Sequence, residues 1–320
     1  MEHQRLGRGG VKVSRVVLGS WLTFGSSVDD GGTAACVKAA LESGITTFDT
    51  ADVYALGRAE DALGKALAGV PRKDVVLATK VFWPTGERPN DRGLSRKHVV
   101  ESCHASLRRL GTDYVDVYQC HRFDPETPLE ETVRAMEDLV RAGKALYWGV
   151  SVWTGAQIAE GIRLARAAGG YGLIVNQPEY NLLDRSIEAE VLPVCRREGV
   201  GQWVFSPLAQ GVLTGKYTRG AVPAGSRGAD PQRNQFMMAD LAPATLARVD
   251  RFVALAREAG TTPARLALAW CLAQPGVDAV VVGAVRPEQV RENAQAAGVR
   301  LSPDLLAKID AIFPFDSPRA

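Results

Sequence analysis

Four polar side chains fall where short apolar runs of the chain end. Asp49 follows ITTF, Tyr54 lies five positions further on, Lys80 closes DVVLATK, and His121 follows VDVYQC. An acid, a phenol, an ammonium and an imidazole suit one kind of chemistry. A phenol with its ordinary pKa of ~10 is a poor proton donor at neutral pH. A neighbouring ammonium favours the phenolate and lowers that pKa. A carboxylate beside the lysine holds its position and charge, and an imidazole orients a carbonyl oxygen. Together they protonate an oxygen as negative charge develops on it, which carbonyl reduction by hydride transfer requires. No side chain supplies hydride, so a nicotinamide cofactor is implied.

Taken singly, an aspartate before a helix is ordinarily a cap and a lysine after a strand is ordinarily solvated. Their joint reading depends on the elements that carry them. Short Val/Ile/Leu-rich runs alternate with amphipathic segments along the chain. Strands are expected at 15–20, 45–49, 74–80, 115–120, 145–151, 172–177, 201–206 and 278–284. Helices are expected at 30–43, 58–69, from Ser95 to Gly111, from Thr127 to Gly143, at 155–168, from the sixth strand to about 198, at 243–259, 262–274, 287–297 and 302–312. Thr127-Pro128-Leu129-Glu130 reads as a capping box with proline at the first helical position. Apolar runs without alternation indicate strands buried on both faces of a parallel sheet. Eight β/α units with no linker between them predict one α/β domain over residues 1–320, a TIM (β/α)8 barrel. The glycines of RLGRGGVKVS are read as the turn of an N-terminal β-hairpin rather than a phosphate loop, since no helix follows them. No GxGxxG opens a βαβ unit, which argues against a Rossmann domain. Residues 208 to 240 form a loop after strand 7 that is longer than most βα loops, and such loops are functional or disordered.

Composition adds exclusions. The 320 residues are 46% hydrophobic and 23% charged, with formal net charge +2, so no nucleic-acid or membrane preference follows. Five cysteines without CxxC spacing suggest reduced thiols in a cytoplasmic setting. No apolar run reaches the length of a membrane span, and MEHQRLG lacks a signal peptide's apolar region.

In a TIM barrel the strand ends converge at one face. Asp49, Tyr54, Lys80 and His121 therefore meet there, with Ser151, Gln177 and Ser206 at further strand ends. Trp21, Trp83 and Trp153 are expected to wall an apolar opening. Asp52 is expected to be a loop or helix-entry residue.

The chain resembles the aldo-keto reductase superfamily in FDTADVYALGRAEDALGKAL, LATK and DYVDVYQCHRFDPETPLEETVRAM. It is most similar to the branch of potassium-channel β subunits and bacterial glyceraldehyde-phosphate reductases, through GLSRKHVVES, ALYWGVS, VFSPLAQGVLTGKY and PEQVREN. The resemblance implies that Tyr54 is the general acid, that Lys80 and Asp49 tune it, and that His121 positions the substrate carbonyl. It implies NADP(H) as cofactor. Ser151 and Gln177, with Asp49, would hold the carboxamide and Phe205 would stack on the nicotinamide beside Trp21. Ser206, Leu208, Gly211 and Lys216 would embrace the pyrophosphate. Gly283, Val285, Gln289, Glu292 and Asn293 match the adenosine-phosphate segment. Lysine and arginine are common in the family where this chain has Gly283 and Gln289. A 2′-phosphate would therefore rest on Lys216, Arg227 and Arg286. Val152 stands where asparagine or arginine is common. Trp21 and Trp83, with Tyr54 and His121, would contact a small carbonyl substrate. Tetramers occur in this branch, so a homo-oligomer is expected.

Two other readings compete. Channel β subunits bind nucleotide and dock on a membrane protein, but they carry asparagine where this chain has His121. A Schiff-base aldolase using Lys80 would trap substrate on that lysine and ignore NADPH.

Overall fold

The interior of this protein is made by eight parallel strands that close on themselves. The structure is a computed structural model that describes residues 1–217, 221–231 and 233–315. An antiparallel hairpin, β1 (His3–Arg5) and β2 (Lys12–Ser14), precedes eight parallel strands. These are β3 (Val16–Gly19), β4 (Thr47–Asp49), β5 (Val76–Val81), β6 (Val115–Cys120), β7 (Ala145–Ser151), β8 (Val175–Gln177), β9 (Gly201–Val204) and β10 (Val277–Gly283). They close into a barrel, with Val280 of β10 in register with Val16 of β3. The helices between them are α1 (Asp30–Glu42), α2 (Arg58–Leu67), α3 (Arg96–Leu110), α4 (Leu129–Arg141), α5 (Gly155–Ala167), α6 (Val191–Glu198), α7 (Pro243–Glu258), α8 (Pro263–Ala273) and α9 (Pro287–Ala294), and α10 (Pro303–Ile312) follows. The expected TIM barrel with an N-terminal hairpin is what the chain forms.

The period-2 alternation of a strand sorts each residue to one of two cores. Val17, Ala78, Val117, Val175, Trp203, Ala279 and Val281 fill the barrel interior. Their neighbours Val16, Leu77, Tyr118 and Val150 face outward into the larger core under the helices. The hairpin plugs the N-terminal end of the barrel, where Leu6 and Val13 join the interior cluster. The Gly7 backbone N–H donates to Asp278 Oδ2 at 2.8 Å. Gly7 holds φ +52°, and a Cβ there would lie 2.4 Å from the Gly201 nitrogen.

Some local expectations need correction. No capping box forms at α4. Thr127 instead donates its hydroxyl to Asp124 Oδ2 at 2.8 Å, and the helix begins after Pro128 without a side-chain cap. Asp124 is buried and accepts from the Leu94 N–H as well, and the N-cap position falls on Pro128, one residue beyond Thr127. The sixth strand starts at Val175 rather than residue 172. No continuous helix follows it. A loop, the short turn Ser186–Glu188 and α6 take its place, because Asn181 caps a tight turn through the Leu183 and Asp184 N–H groups. The long loop after β9 carries short helical turns at Ala209–Thr214, Arg227–Ala229, Asn234–Phe236 and Ala239–Leu241.

Gly7→Ala is expected to destabilise the fold by more than about 2 kcal/mol, since it adds both αL strain and a backbone clash. Urea unfolding read by tryptophan fluorescence measures this; a midpoint within error of the wild type would contradict the plug's tight fit.

Candidate active site

Lys80 is the side chain around which the C-terminal mouth of the barrel is arranged. Alternation along β5 turns Ala78 and Lys80 inward while Thr79 points out to Glu60 of α2. A fully buried ammonium is tolerable only when it is paired and hydrogen-bonded. Lys80 Nζ donates to Asp49 Oδ2 at 2.6 Å and to the Thr50 carbonyl at 2.7 Å, and both charged side chains are almost fully buried. The other Asp49 oxygen accepts from Gln177 Nε2 at 3.0 Å and Gln119 Nε2 at 3.4 Å. Trp203 Nε1 donates to Gln119 Oε1 at 3.3 Å, so the network extends into the barrel's apolar filling.

Tyr54 stands on a turn after β4 that folds its phenol back over this pair. Its hydroxyl lies 3.4 Å from Lys80 Nζ. The turn is strained: Ala55 and Leu56 both have positive φ, at 50° and 54°. The Tyr54 and His121 rings meet edge to face at 5.6 Å, and Trp83 lies 6.4 Å from His121. The four residues singled out by type and spacing thus meet in space.

The electrostatics differ from the expectation in one respect. Burial pushes the Tyr54 phenol above its usual pKa; Lys80 pulls the other way without cancelling it. The phenol therefore holds its proton at neutral pH. Burial lowers the pKa of Lys80, but Asp49 and the phenol outweigh it and leave the value raised. Lys80 is consequently a protonated cation and not a free amine, which speaks against a Schiff-base aldolase. Burial, with Lys80 and Arg122 beside it, holds His121 well below the usual histidine range, so its imidazole is neutral.

The other expected site residues divide into groups. The Ser151 hydroxyl donates to the Gln177 carbonyl at 2.7 Å. Phe205 is half-buried against the barrel interior. After it comes an unusual run of left-handed backbone, with Ser206 at φ 53°, Ala209 at 45°, Gln210 at 57° and Gly211 at 97°. Leu208 is half-buried here. A Cβ on Gly211 would lie 2.9 Å from Lys216 Nζ. Tyr217 accepts from the Gly228 N–H at 3.0 Å, which ties this cradle to Arg227. Arg227 lies 5.9 Å over the Trp21 ring, and Trp21 meets Phe236 edge to face at 5.2 Å. Gly283 is next to the Trp21 carbonyl on the same wall. Burial and the nearby Arg233 lower the Arg227 pKa, and a second cation close by is what an anion would relieve.

Gln289 Oε1 accepts from the Val285 N–H at 2.9 Å. Glu292 accepts from Thr262 at the start of α8, Asn293 is buried, and Arg286 is exposed at the start of α9. A long polar ligand fits this arrangement. Gly211 opens a cradle beside a lysine, and in the same strap Gln210 Oε1 and Ser226 Oγ are buried with no partner.

Trp153 does not wall the opening: it is 2% exposed and packs on Phe123 in the outer core. Trp21 and Trp83 do lie at the mouth, Trp83 being 38% exposed. Asp52 lies in the turn before Tyr54, as expected of a loop or helix-entry residue, but it is buried there. Its Oδ2 accepts from Ser102 Oγ of α3 at 2.6 Å, while its Oδ1 is buried without a partner. Gln119, Thr50, Arg122 and Arg233 were not anticipated. Gln119 left a readable trace, as an amide at an inward position of a strand made mostly of apolar residues.

Burial raises the Asp52 pKa from 3.8 to about 7. The native state then keeps a proton that the unfolded chain releases, so stability falls as pH rises from about 4 to about 7 and stays reduced above it. Asp52→Asn is expected to add up to about 4 kcal/mol at pH 8 and almost nothing near pH 4. Urea unfolding at both pH values reads the difference; an equal effect at each would remove the burial penalty from Asp52.

Comparisons with known proteins accord with this geometry. The family model described as "Aldo/keto reductase family" matches residues 15–313. The chain is similar to a probable voltage-gated potassium channel subunit beta of Oryza sativa subsp. japonica, 45% identical over 98% of this chain and 96% of that protein. It is 44% identical to a probable voltage-gated potassium channel subunit beta of Arabidopsis thaliana, over 98% of this chain and 96% of that one. A putative channel subunit beta of Schizosaccharomyces pombe is 42% identical over 97% and 92% of the two chains.

Proposed function

The chain belongs to the aldo/keto reductase family, and on that premise we propose that it reduces an aldehyde or ketone to an alcohol with NADPH, Tyr54 giving the proton. One observation carries this reading: a protonated phenol lies 3.4 Å from an ammonium that Asp49 clamps in the barrel mouth. When bound, NADPH supplies the hydride that goes to the carbonyl carbon. The chain's own residues manage the oxygen. As negative charge grows there, the Tyr54 hydroxyl transfers its proton to it. Lys80 then stabilises the phenolate, a role that needs the ammonium charge in a site poor in water. Neutral His121 offers a hydrogen bond to the same oxygen without competing as an acid. Trp21 and Trp83 confine the substrate. Ser151 and Gln177 would hold the carboxamide with Asp49 behind them, and Phe205 would support the nicotinamide. Ser206, Leu208, Gly211 and Lys216 would hold the pyrophosphate, with Val285, Gln289, Glu292 and Asn293 at the adenosine end. Arg227 would meet the 2′-phosphate.

A second reading follows from the names of the relatives: a nucleotide-holding subunit of a membrane protein with little turnover. His121 favours the reductase, because the resemblance to channel subunits implies asparagine there. No helix among the described residues is long and apolar enough to cross a membrane. The five unpaired, buried cysteines support a reducing, cytoplasmic setting. Following NADPH absorbance against a panel of carbonyl compounds separates the two readings; no oxidation with any of them would leave the subunit reading.

Tyr54→Phe is expected to lower kcat between about a hundredfold and ten-thousandfold while NADPH affinity changes little. Single-turnover kinetics and NADPH fluorescence measure the two effects, and a mutant that keeps most of its rate would refute the proton-donor role. Arg227→Ala is expected to weaken NADPH by about tenfold or more and NADH far less. Equal losses of both in a binding titration would take the 2′-phosphate away from Arg227.

A further inference from the structure

Among the described residues, Arg122 is the one guanidinium that the reaction above does not use and that nonetheless reaches its centre. It follows His121 directly, so the end of β6 delivers the two side chains together. Its Nη1 donates to the His121 carbonyl at 2.6 Å and lies 3.5 Å from Ser151 Oγ. Its guanidinium carbon is 5.5 Å from the centre of the Trp83 ring. The charge is felt on both sides of the reacting oxygen: it lowers the pKa of Tyr54 and that of His121.

The charge balance at the mouth gives this arginine its meaning. Lys80 and Asp49 cancel, and His121 is neutral. Arg122 makes no ion pair among the described residues. Burial is the largest influence on its pKa and lowers it, while Tyr54 and then Glu179 raise it by less. A half-buried guanidinium in that position has, among the described residues, donors to spare and no counter-charge in contact. A guanidinium is the side chain whose planar fork matches a carboxylate.

Resting on the reductase reading, we propose that Arg122 receives a carboxylate of the substrate, so that the preferred substrates are aldehydes or ketones that also carry a carboxylate. The carbonyl oxygen sits between Tyr54 and His121, the carboxylate lies on the outer edge of Arg122, and the Trp83 ring covers the carbon chain between them. A carboxylate fits better than a phosphate dianion. One cation is on offer, and part of its fork is already committed to His121 and Ser151.

Matched pairs of compounds test this: 4-carboxybenzaldehyde against benzaldehyde, and glyceraldehyde 3-phosphate against glyceraldehyde, each with wild type, Arg122→Gln and Arg122→Lys. The wild type is expected to prefer 4-carboxybenzaldehyde over benzaldehyde by about tenfold or more in kcat/KM, and the preference should shrink with added salt. Arg122→Gln should lose about 10- to 100-fold on 4-carboxybenzaldehyde and less than about threefold on benzaldehyde, with Arg122→Lys between. Calorimetric titration of 4-carboxybenzoic acid into the NADPH-loaded protein should show the same ranking without turnover.

Absence of any preference in the wild type overturns the proposal even if neither variant folds. Equal losses on both members of the pair also overturn it and make Arg122 a support for His121 and Ser151. A larger preference for the phosphate over its parent aldehyde than for the carboxylate over benzaldehyde replaces carboxylate by phosphate. If no carbonyl compound oxidises NADPH, the reductase reading fails, and carboxylate binding by calorimetry then decides on Arg122 alone.

Discussion

A buried ammonium held by a buried carboxylate is the interaction on which the rest of this molecule depends. Lys80 and Asp49 are enclosed at the mouth end of the barrel, where each alone would cost several kcal/mol to bury. Their survival requires that every remaining polar atom be answered. Thr50 answers the second ammonium proton, and Gln177 and Gln119 answer the second carboxylate oxygen. Those requirements link the adjacent strands β4, β5 and β6 with β8, which lies one strand further round the barrel. The phenol of Tyr54 then has one stable place to lie, beside a fixed positive charge.

Strain is concentrated at the same end. The described residues with positive φ other than glycine are Leu22, Ala55, Leu56, Val152, Ser206, Ala209 and Gln210. Each lies in a segment that follows a barrel strand, β3, β4, β7 or β9. A left-handed conformation is especially unfavourable for a β-branched residue, so Val152 at φ 56° is the clearest case. Conformations of this kind persist only where surrounding packing over-determines them, and they gather at functional sites. The closed barrel supplies that rigidity, and the hairpin plug at the opposite end seals the apolar interior from below.

Charge is organised in layers around the mouth. The Lys80–Asp49 pair is neutral as a unit and sits deepest. Behind Tyr54, Asp52 is held among Ser102, Glu60 and Tyr118 in a region where burial dominates. Nearer solvent are Arg122 by Trp83, and Arg227 with Arg233 by Trp21. Two aromatic rings each lie beside an arginine at the opening.

The barrel was legible because its signals are local and periodic: apolar runs of strand length recur eight times, with amphipathic helix faces between them. The positions of Asp49, Lys80 and His121 were legible too, since a parallel barrel brings every strand end to one face. Less could be read where long-range competition decides. Thr127 had the sequence of a capping box, but its hydroxyl binds the buried Asp124 and the helix starts one residue later. Trp153 had the position of a wall, yet its backbone turns it into the outer core, against Phe123. Asp52 and Asp49 are alike in type and only three positions apart, and tertiary packing alone separates them. One faces an ammonium inside the barrel, and the other faces a serine on α3 with an oxygen left over. The Tyr54 phenol lies above its usual pKa, against the expectation, for the same reason: burial is a property of the whole fold, while the attraction of one lysine is pairwise. What this sequence determined by itself was the set of chemical groups and the strand ends that bear them. The tertiary structure decided which of those groups are charged, because desolvation and partner geometry do not exist until the chain has closed around them.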